Sequence, residues 1–213
     1  MNGYSKNLIV LSGADGTGKS TLVTEVRAIL LSEGSVRVTW RRFGLVFSRL
    51  LNFYGRLIGK SYYQNSPLGR IGYHSYRGYL AKLYVLSVLL DFMLFVSPKW
   101  RVLDFFSVSK FNIVDRFLID IVADVILSTS EDRLVLRLFS RVVRMHLRRV
   151  NCFVLSCGRE SVMIRRPDIQ YDEAHDRKRL IYKKLRRLFN IATVHTDKLS
   201  PNECAKWILI RCR

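Results

Sequence analysis

The sequence predicts an α/β fold: a doubly wound, five-stranded parallel sheet with flanking helices. Three observations carry this expectation. Leu8-Ile9-Val10-Leu11 is an unbroken apolar run, the pattern of a strand buried on both faces. A glycine-rich turn, a helix-period stretch and a second strand-like run at Val36–Trp40 follow within about 33 residues, the length of a βαβ unit with parallel strands. Three more short runs, at Phe111–Val114, Cys152–Leu155 and Ile191–His195, alternate with helical segments down the chain, as a doubly wound sheet requires.

The elements follow in order. Lys19–Leu31 shows helical periodicity through Leu22, Val26, Ile29 and Leu30, with Gly34 as its stop. Residues 44–79 are rich in Tyr, Gly and Arg and contain Pro67; helical pieces separated by loops are expected there. Gly78–Val96 reads as one long helix, and Ser97-Pro98 as the cap and first position of the next. Its apolar stretch, Leu83–Val96, is interrupted by Asp91 and falls short of the roughly 20 residues of a membrane span. A buried amphipathic helix is the expectation, and no span. Ser128–Arg149 is a strong helix, with Ser128-x-x-Glu131 as a capping box. Gly158–Asp176 mixes charges around Pro167 and reads as a loop or mobile segment. Arg177–Phe189 is a basic helix, and Pro201–Leu209 closes the chain. Without a repeat or linker, residues 1–213 are expected to form one domain.

Composition narrows the class. At 49% hydrophobic and 25% charged residues the chain has globular proportions. The 36 Lys and Arg against 17 Asp and Glu leave +19, which favours phosphate-bearing or polyanionic partners, or an anionic membrane surface. The apolar run near the N-terminus is too short for a signal-peptide core. Cys152, Cys157, Cys204 and Cys212 form no CxxC pair. They read as reduced thiols of a cytoplasmic protein, with Cys152 on a core strand.

Gly13-Ala14-Asp15-Gly16-Thr17-Gly18-Lys19-Ser20 fits GxxxxGK[ST], and Thr21 follows. Glycines let successive N–H groups turn inward around a phosphate. The helix that follows adds its positive end. Lys19 is a flexible cation able to follow the β- and γ-phosphates, and Ser20 offers an oxygen to Mg²⁺. Together they predict nucleotide binding in a P-loop NTPase fold. Asp115 ends the third apolar run, where ligands of such sheets bind. It can hold Mg²⁺ through water, and Arg116 beside it can clamp phosphoryl oxygens.

GADGTGKST, then Asp115-Arg116-Phe117, then an Arg-rich segment after the fourth strand resembles the thymidylate kinase family of nucleoside monophosphate kinases. Arg41-Arg42-Phe43-Gly44 sits where that family has a REPG-like stretch. The resemblance implies ATP-dependent phosphorylation of a nucleoside monophosphate, dTMP first, with ATP and Mg²⁺ as cofactors and a homodimer. The apolar helix near Leu83–Val96 is the surface available for that dimer. It implies nucleotide contacts from Gly13, Asp15, Gly16, Thr17, Gly18, Lys19, Ser20 and Thr21. Asp15 accepts the acceptor sugar's 3′-hydroxyl, and Arg41 or Arg42 with Arg116 grips the acceptor phosphate. Ser20 and Asp115 hold the metal. Gly16 is neutral where one variant of the family carries an arginine. The catalytic cation is therefore expected from a lid at about 158–176, from Arg165 or Arg166, with Arg159 nearby. Thr196-Asp197-Lys198 falls where the family packs the adenine.

The sequence departs from the family at the base pocket. Val88 and Phe92 stand where an aromatic and an arginine are usual, and Asp120 and Val125 where Ser and Gln are usual. Phe92 stays among the candidate substrate-binding residues. Tyr73, Tyr76, Arg77 and Tyr79 offer stacking and hydrogen bonds from another direction. An acceptor that is another phosphorylated small molecule is one alternative, and a nucleic-acid-associated ATP-binding protein without kinase turnover, motivated by the charge of +19, is the other. Arg133, Arg137, Arg141, Arg144 and Arg148 recur at helical spacing. A solvated helix face is the plainer reading of them, and a nucleic-acid or membrane stripe the sharper one.

Overall fold

The computed structural model describes residues 8–40, 46–66, 69–97 and 109–212. Its main sheet holds β1 (Leu8–Ser12), β2 (Val36–Trp40), β5 (Phe111–Asp115), β6 (Asn151–Ser156) and β7 (Ala192–His195), in the order β2-β5-β1-β6-β7, all parallel. Helices cover both faces, so the doubly wound five-stranded sheet stands as expected. Odd and even side chains of each strand go to opposite cores. Leu8 and Val10 pack on one side with Val114 and Val154, and Ile9 and Leu11 on the other with Ile113 and Phe153. That alternation in an apolar strand explains why its run is continuous.

The second core is closed by α1 (Lys19–Leu31) and α8 (Pro201–Cys212), which pack on each other. The first is closed by α3 (Gly78–Asp91, continuing as a π-helical turn over Phe92–Val96), α4 (Leu118–Thr129), α5 (Asp132–Leu147) and α7 (His175–Leu188). The helix over 78–96 is therefore present and buries part of its surface. It is long and apolar enough to cross a membrane by composition, yet 44% of the tested window lies inside the fold.

Three expectations change. Residues 44–79 hold α2 (Phe47–Leu57) and an antiparallel hairpin, β3 (Ser61–Ser66) with β4 (Gly69–His74), not helical pieces alone. Tyr62 and Tyr63 of β3 are half exposed, so the hairpin lacks the in–out alternation that marks a strand. Ser128 does not begin a helix. It lies in the last turn of α4, which ends at Ser130 in the left-handed region (φ 59°), and α5 starts afresh after Glu131. Gly158–Asp176 is not a loop: it holds α6 (Arg159–Arg165) and a 3₁₀ turn over Pro167–Tyr171. Pro67 and Pro98 lie outside the described residues.

Asp91, the charge that interrupts the apolar run, has a partner across the fold. Its carboxylate accepts hydrogen bonds from the Val46, Phe47 and Ser48 backbone N–H groups at 3.2, 2.9 and 2.9 Å, and from the Ser48 hydroxyl at 2.5 Å. It caps α2 from α3, satisfying donors that a helix start leaves unpaired. Burial works to raise its pKa, but these hydrogen bonds outweigh it and hold the carboxyl below the ordinary 3.8.

Candidate functional site

The phosphate loop leaves the carboxyl end of β1 and runs into α1. Gly18, at φ 84°, takes the left-handed conformation that turns the chain into the helix. Lys19 is 92% removed from solvent, and its ammonium donates to the Gly13 and Ala14 carbonyl oxygens at 2.7 and 2.8 Å. Burial lowers its pKa, opposed by Asp15 and Asp120. The Thr17 hydroxyl donates to Ala14 O at 2.7 Å, which tightens the turn. Ser20 and Thr21 stand exposed on the first turn of α1.

Asp115 pairs in register with Leu11 of β1 and with Trp40 of β2, so it ends beside the loop. It is buried, and its Oδ1 has no hydrogen-bond partner among the described residues. Burial pushes its pKa up, only partly offset by Lys19 and Arg116. A buried carboxylate oxygen without a donor costs stability, and a cation is the partner that removes the cost. This orphaned oxygen, at the strand end next to the phosphate loop, fits a Mg²⁺ site, with Ser20 on the first turn of α1 as the second residue that would hold the ion.

Arg116 is in the left-handed region at φ 69°, a strained position for a residue with a side chain. From there its guanidinium reaches Asp15 at 2.7 Å. Asp15 also meets the Lys178 ammonium of α7 at 3.4 Å, and Lys178 meets Asp124 of α4 at 3.0 Å. The Asp15 carbonyl accepts from His175 Nε2 at 3.1 Å. Burial alone would raise the Asp15 pKa, but Lys178, Lys19 and Arg116 hold it far below the carboxylate range. Burial works against the charge of Lys178 as well, yet Asp124 and Asp15 push its pKa up. The phosphate loop, Asp115 and Arg116 thus meet at the carboxyl end of the sheet.

The 158–176 segment lies directly on the loop. A Cβ at Gly16 would stand 2.7 Å from Val162 Cγ1 and 2.9 Å from Ile169 Cδ1. The Arg165 guanidinium donates to Thr196 O at 2.7 Å and to Thr196 Oγ1 at 3.3 Å. It passes 3.4 Å from where a Cβ on Gly18 would stand. Thr196 donates in turn to Thr17 O at 2.9 Å, and Asp197 accepts from Gly158 N at 2.8 Å. Arg165 is therefore at the loop. Arg166 is engaged by Asp168 at 2.8 Å, and Arg159 by Asp176 at 3.0 Å.

Other expected residues are not brought together here. Phe92 is 1% exposed and meets His146 edge-on at 5.3 Å in the core. Its ring is packing and does not reach the acceptor side. Arg77 is exposed at the residue before α3. Tyr76 is buried against Tyr84 and His74, whereas Tyr79 is exposed. Tyr73 donates to Asp172, just after the 3₁₀ turn, at 2.8 Å. Arg41 and Arg42 lie outside the described residues, immediately after the strand end that pairs with Asp115.

The sequence reading gave no role to two residues that the structure places at the loop. Asp120, 1% exposed, accepts from Ser12 Oγ (2.6 Å), Gly13 N (3.3 Å), Phe117 N (2.8 Å) and Tyr182 Oη (2.6 Å). It fastens the start of the phosphate loop to α4 and α7. Lys178 was one of many cations in a basic helix. Its spacing four residues before Tyr182, on the helix face that returns to the loop, was the available signal.

No protein-family model matches the chain, and no curated protein matches it in sequence. Among solved structures it is similar to the thymidylate kinase from Ehrlichia chaffeensis. The two share 14% identity over 97% of this chain and 98% of that one, with a TM-score of 0.51. The likeness shows the fold: a five-stranded parallel sheet flanked by helices, of P-loop NTPase type.

Proposed function

We propose that the chain is a Mg²⁺-requiring phosphotransferase of nucleoside monophosphate kinase type, with ATP as donor and dTMP as the first acceptor to test. One observation carries the reading: Arg116 reaches back from the end of β5 to Asp15 inside the phosphate loop, 2.7 Å away. Two anionic phosphates brought together need fixed cations around them. Lys19 follows the donor phosphates. Arg116, with Lys178 behind it, receives the acceptor phosphate as Asp15 turns to the acceptor's hydroxyl. Arg165, on a lid at 158–176 that closes over Gly16, supplies the cation for developing charge and excludes water. Mg²⁺ at Ser20 and Asp115 neutralises phosphate charge when bound. The free thiols go with a cytoplasmic setting.

Burial of Phe92 favours a second reading, in which the acceptor is a different phosphorylated small molecule. Incubation with ATP, Mg²⁺ and a panel of monophosphates, read by ³¹P NMR, separates the two. Diphosphate from dTMP supports the first, and phosphorylation of a non-nucleotide alone supports the second. ATP binding with no transfer to any acceptor overturns both.

A further inference from the structure

We propose, resting on the phosphotransfer reading above, that Lys178 is a positioning residue that lets Arg116 change partners. Held in place by Asp124, it stays on Asp15 as the counter-ion when the Arg116 guanidinium moves to the acceptor phosphate. Both Asp15 oxygens are engaged, Oδ1 by Arg116 at 2.7 Å and Oδ2 by Lys178 at 3.4 Å. The Arg116 Nη2 that meets Asp15 is then not available to a phosphate. Full use of the guanidinium fork on an acceptor requires this pair to open.

Opening it is costly unless Asp15 keeps a cation, because a carboxylate in a largely enclosed site is destabilised when its partner leaves. Arg116 and Asp15 have side chains 30% and 34% open to solvent, so this pair can part, whereas the Lys178 side chain is 12% open and stays. Its contact with Asp15 is the longer of the two and has room to shorten. Burial alone would raise the Asp15 pKa, and among the cations that outweigh it Lys178 is the strongest, ahead of Lys19 and Arg116. Asp124 Oδ1 lies 3.0 Å from the Lys178 ammonium, which keeps it beside Asp15 rather than free to follow an incoming phosphate.

Two rungs between α4 and α7 fix that geometry. Tyr182 of α7 donates to Asp120 of α4, and Lys178 of α7 meets Asp124 of α4. On each helix the two residues are four apart, about one turn, and their order is reversed, so the helices run antiparallel with the rungs a turn apart. The first rung ends at the base of the loop, on Ser12 and Gly13. The second ends on Asp15. A lysine that only joined α4 to α7 would need Asp124 alone. This one also faces the loop carboxylate that Arg116 holds.

The test has two arms, both on the full chain. Urea unfolding of wild type, Arg116→Met, Lys178→Met and the double variant reads the coupling without substrate. Each single variant leaves Asp15 one cation, so the double variant is expected to lose more stability than the two losses added. The second arm is steady-state kinetics with dTMP, or with the other acceptor that wild type phosphorylates. Lys178→Met is expected to raise KM for the acceptor about tenfold, the size of one charge-assisted hydrogen bond, and to keep KM for ATP within about twofold. Lys178→Arg is expected to restore most of the loss. Asp124→Asn is expected to leave the acceptor KM unchanged or lower, because it removes a negative charge near Arg116 and frees Lys178 to close on Asp15. A merely structural Lys178 gives additive stability losses, and it gives Lys178→Met and Asp124→Asn the same rise in both KM values; either result overturns the proposal. Additive losses beside normal transfer remove the proposal alone, whereas transfer by wild type to no acceptor removes the phosphotransfer reading and the proposal with it.

Discussion

Asp120→Asn tests whether the phosphate loop is held from beneath. The substitution keeps the size of the side chain and replaces one carboxylate oxygen by NH₂. Oδ2 accepts from the Ser12 hydroxyl and the Phe117 N–H, and Oδ1 from the Tyr182 hydroxyl and the Gly13 N–H. An amide can serve one pair as acceptor. At the other position a hydroxyl can turn and accept, but a backbone N–H cannot. The Gly13 contact is the longer, at 3.3 Å, so the NH₂ group is expected to face Gly13 and Tyr182. One buried backbone donor then lacks a partner, which costs about 1–3 kcal/mol, and the remaining bonds lose a charged acceptor. The sum is about 3 kcal/mol, or about 6–12 °C in Tm for a chain of this length. Urea unfolding followed by circular dichroism measures it. Tyr182→Phe removes one donor to the same carboxylate, so the two losses should not add in the double variant. If Asp120→Asn unfolds within about 0.5 kcal/mol of wild type, Asp120 is not what fixes the loop.

Lys19→Met should abolish phosphotransfer in the coupled ADP assay while moving Tm by only a few degrees, because its ammonium bonds only to its own loop. Asp115→Asn should abolish Mg²⁺-dependent transfer and yet leave stability equal or higher at neutral pH, because it removes a buried charge whose Oδ1 has no donor; a loss above about 1 kcal/mol in calorimetry would contradict this. Asp91→Ala should cost about 1–2 kcal/mol by removing the cap of α2. Because the folded pKa of Asp91 is depressed, that stabilisation is whole above pH 3.8 and is lost as pH falls through the folded value. The gap between variant and wild type should therefore close in acid titrations. Gly16→Arg should destabilise through both its φ of 79° and the approach to Val162 and Ile169, with faster proteolysis between residues 158 and 176 as the readout.

The sheet was legible because its strands are buried on both faces. An apolar run flanked by glycine or charge has few other uses, and β1, β5 and β6 lie on such runs, whereas β2, with Arg37 and Val38 exposed, was read from the length of the βαβ unit. The β3–β4 hairpin was not legible, because exposed tyrosines mark neither a strand face nor a helix face. The phosphate loop and Asp115-Arg116 were readable from side-chain type and order alone. Asp120 was visible only as a departure from a pattern, since its four donors come from Ser12, Gly13, Phe117 and Tyr182, and three of those groups lie far from it in sequence. Phe92 was misplaced for a related reason. Its position on α3 fitted a base-stacking aromatic, but the helix winds into a π turn from Phe92 onward, and its ring is packed against His146.

Gly16 and Arg165 are two ends of one steric constraint. With Val162 and Ile169 seated against it at a φ of 79°, position 16 takes a side chain only if both of them shift, so on the proposed phosphotransfer the loop itself is a poor place for the cation at the phosphates. The segment that fills that space is the better one. Arg165 ends the helix carrying Val162, and its guanidinium is aimed over Gly18 by its bonds to Thr196. Thr196 is itself bonded to Thr17 of the loop, so hydrogen bonds join α6, the turn after β7 and the phosphate loop. On the proposed phosphotransfer, a neutral glycine in the loop and an arginine in the 158–176 segment are then a single structural choice: Val162 and Ile169 pack onto the loop because position 16 carries no side chain, and the arginine that position 16 does not hold sits on the segment packed there.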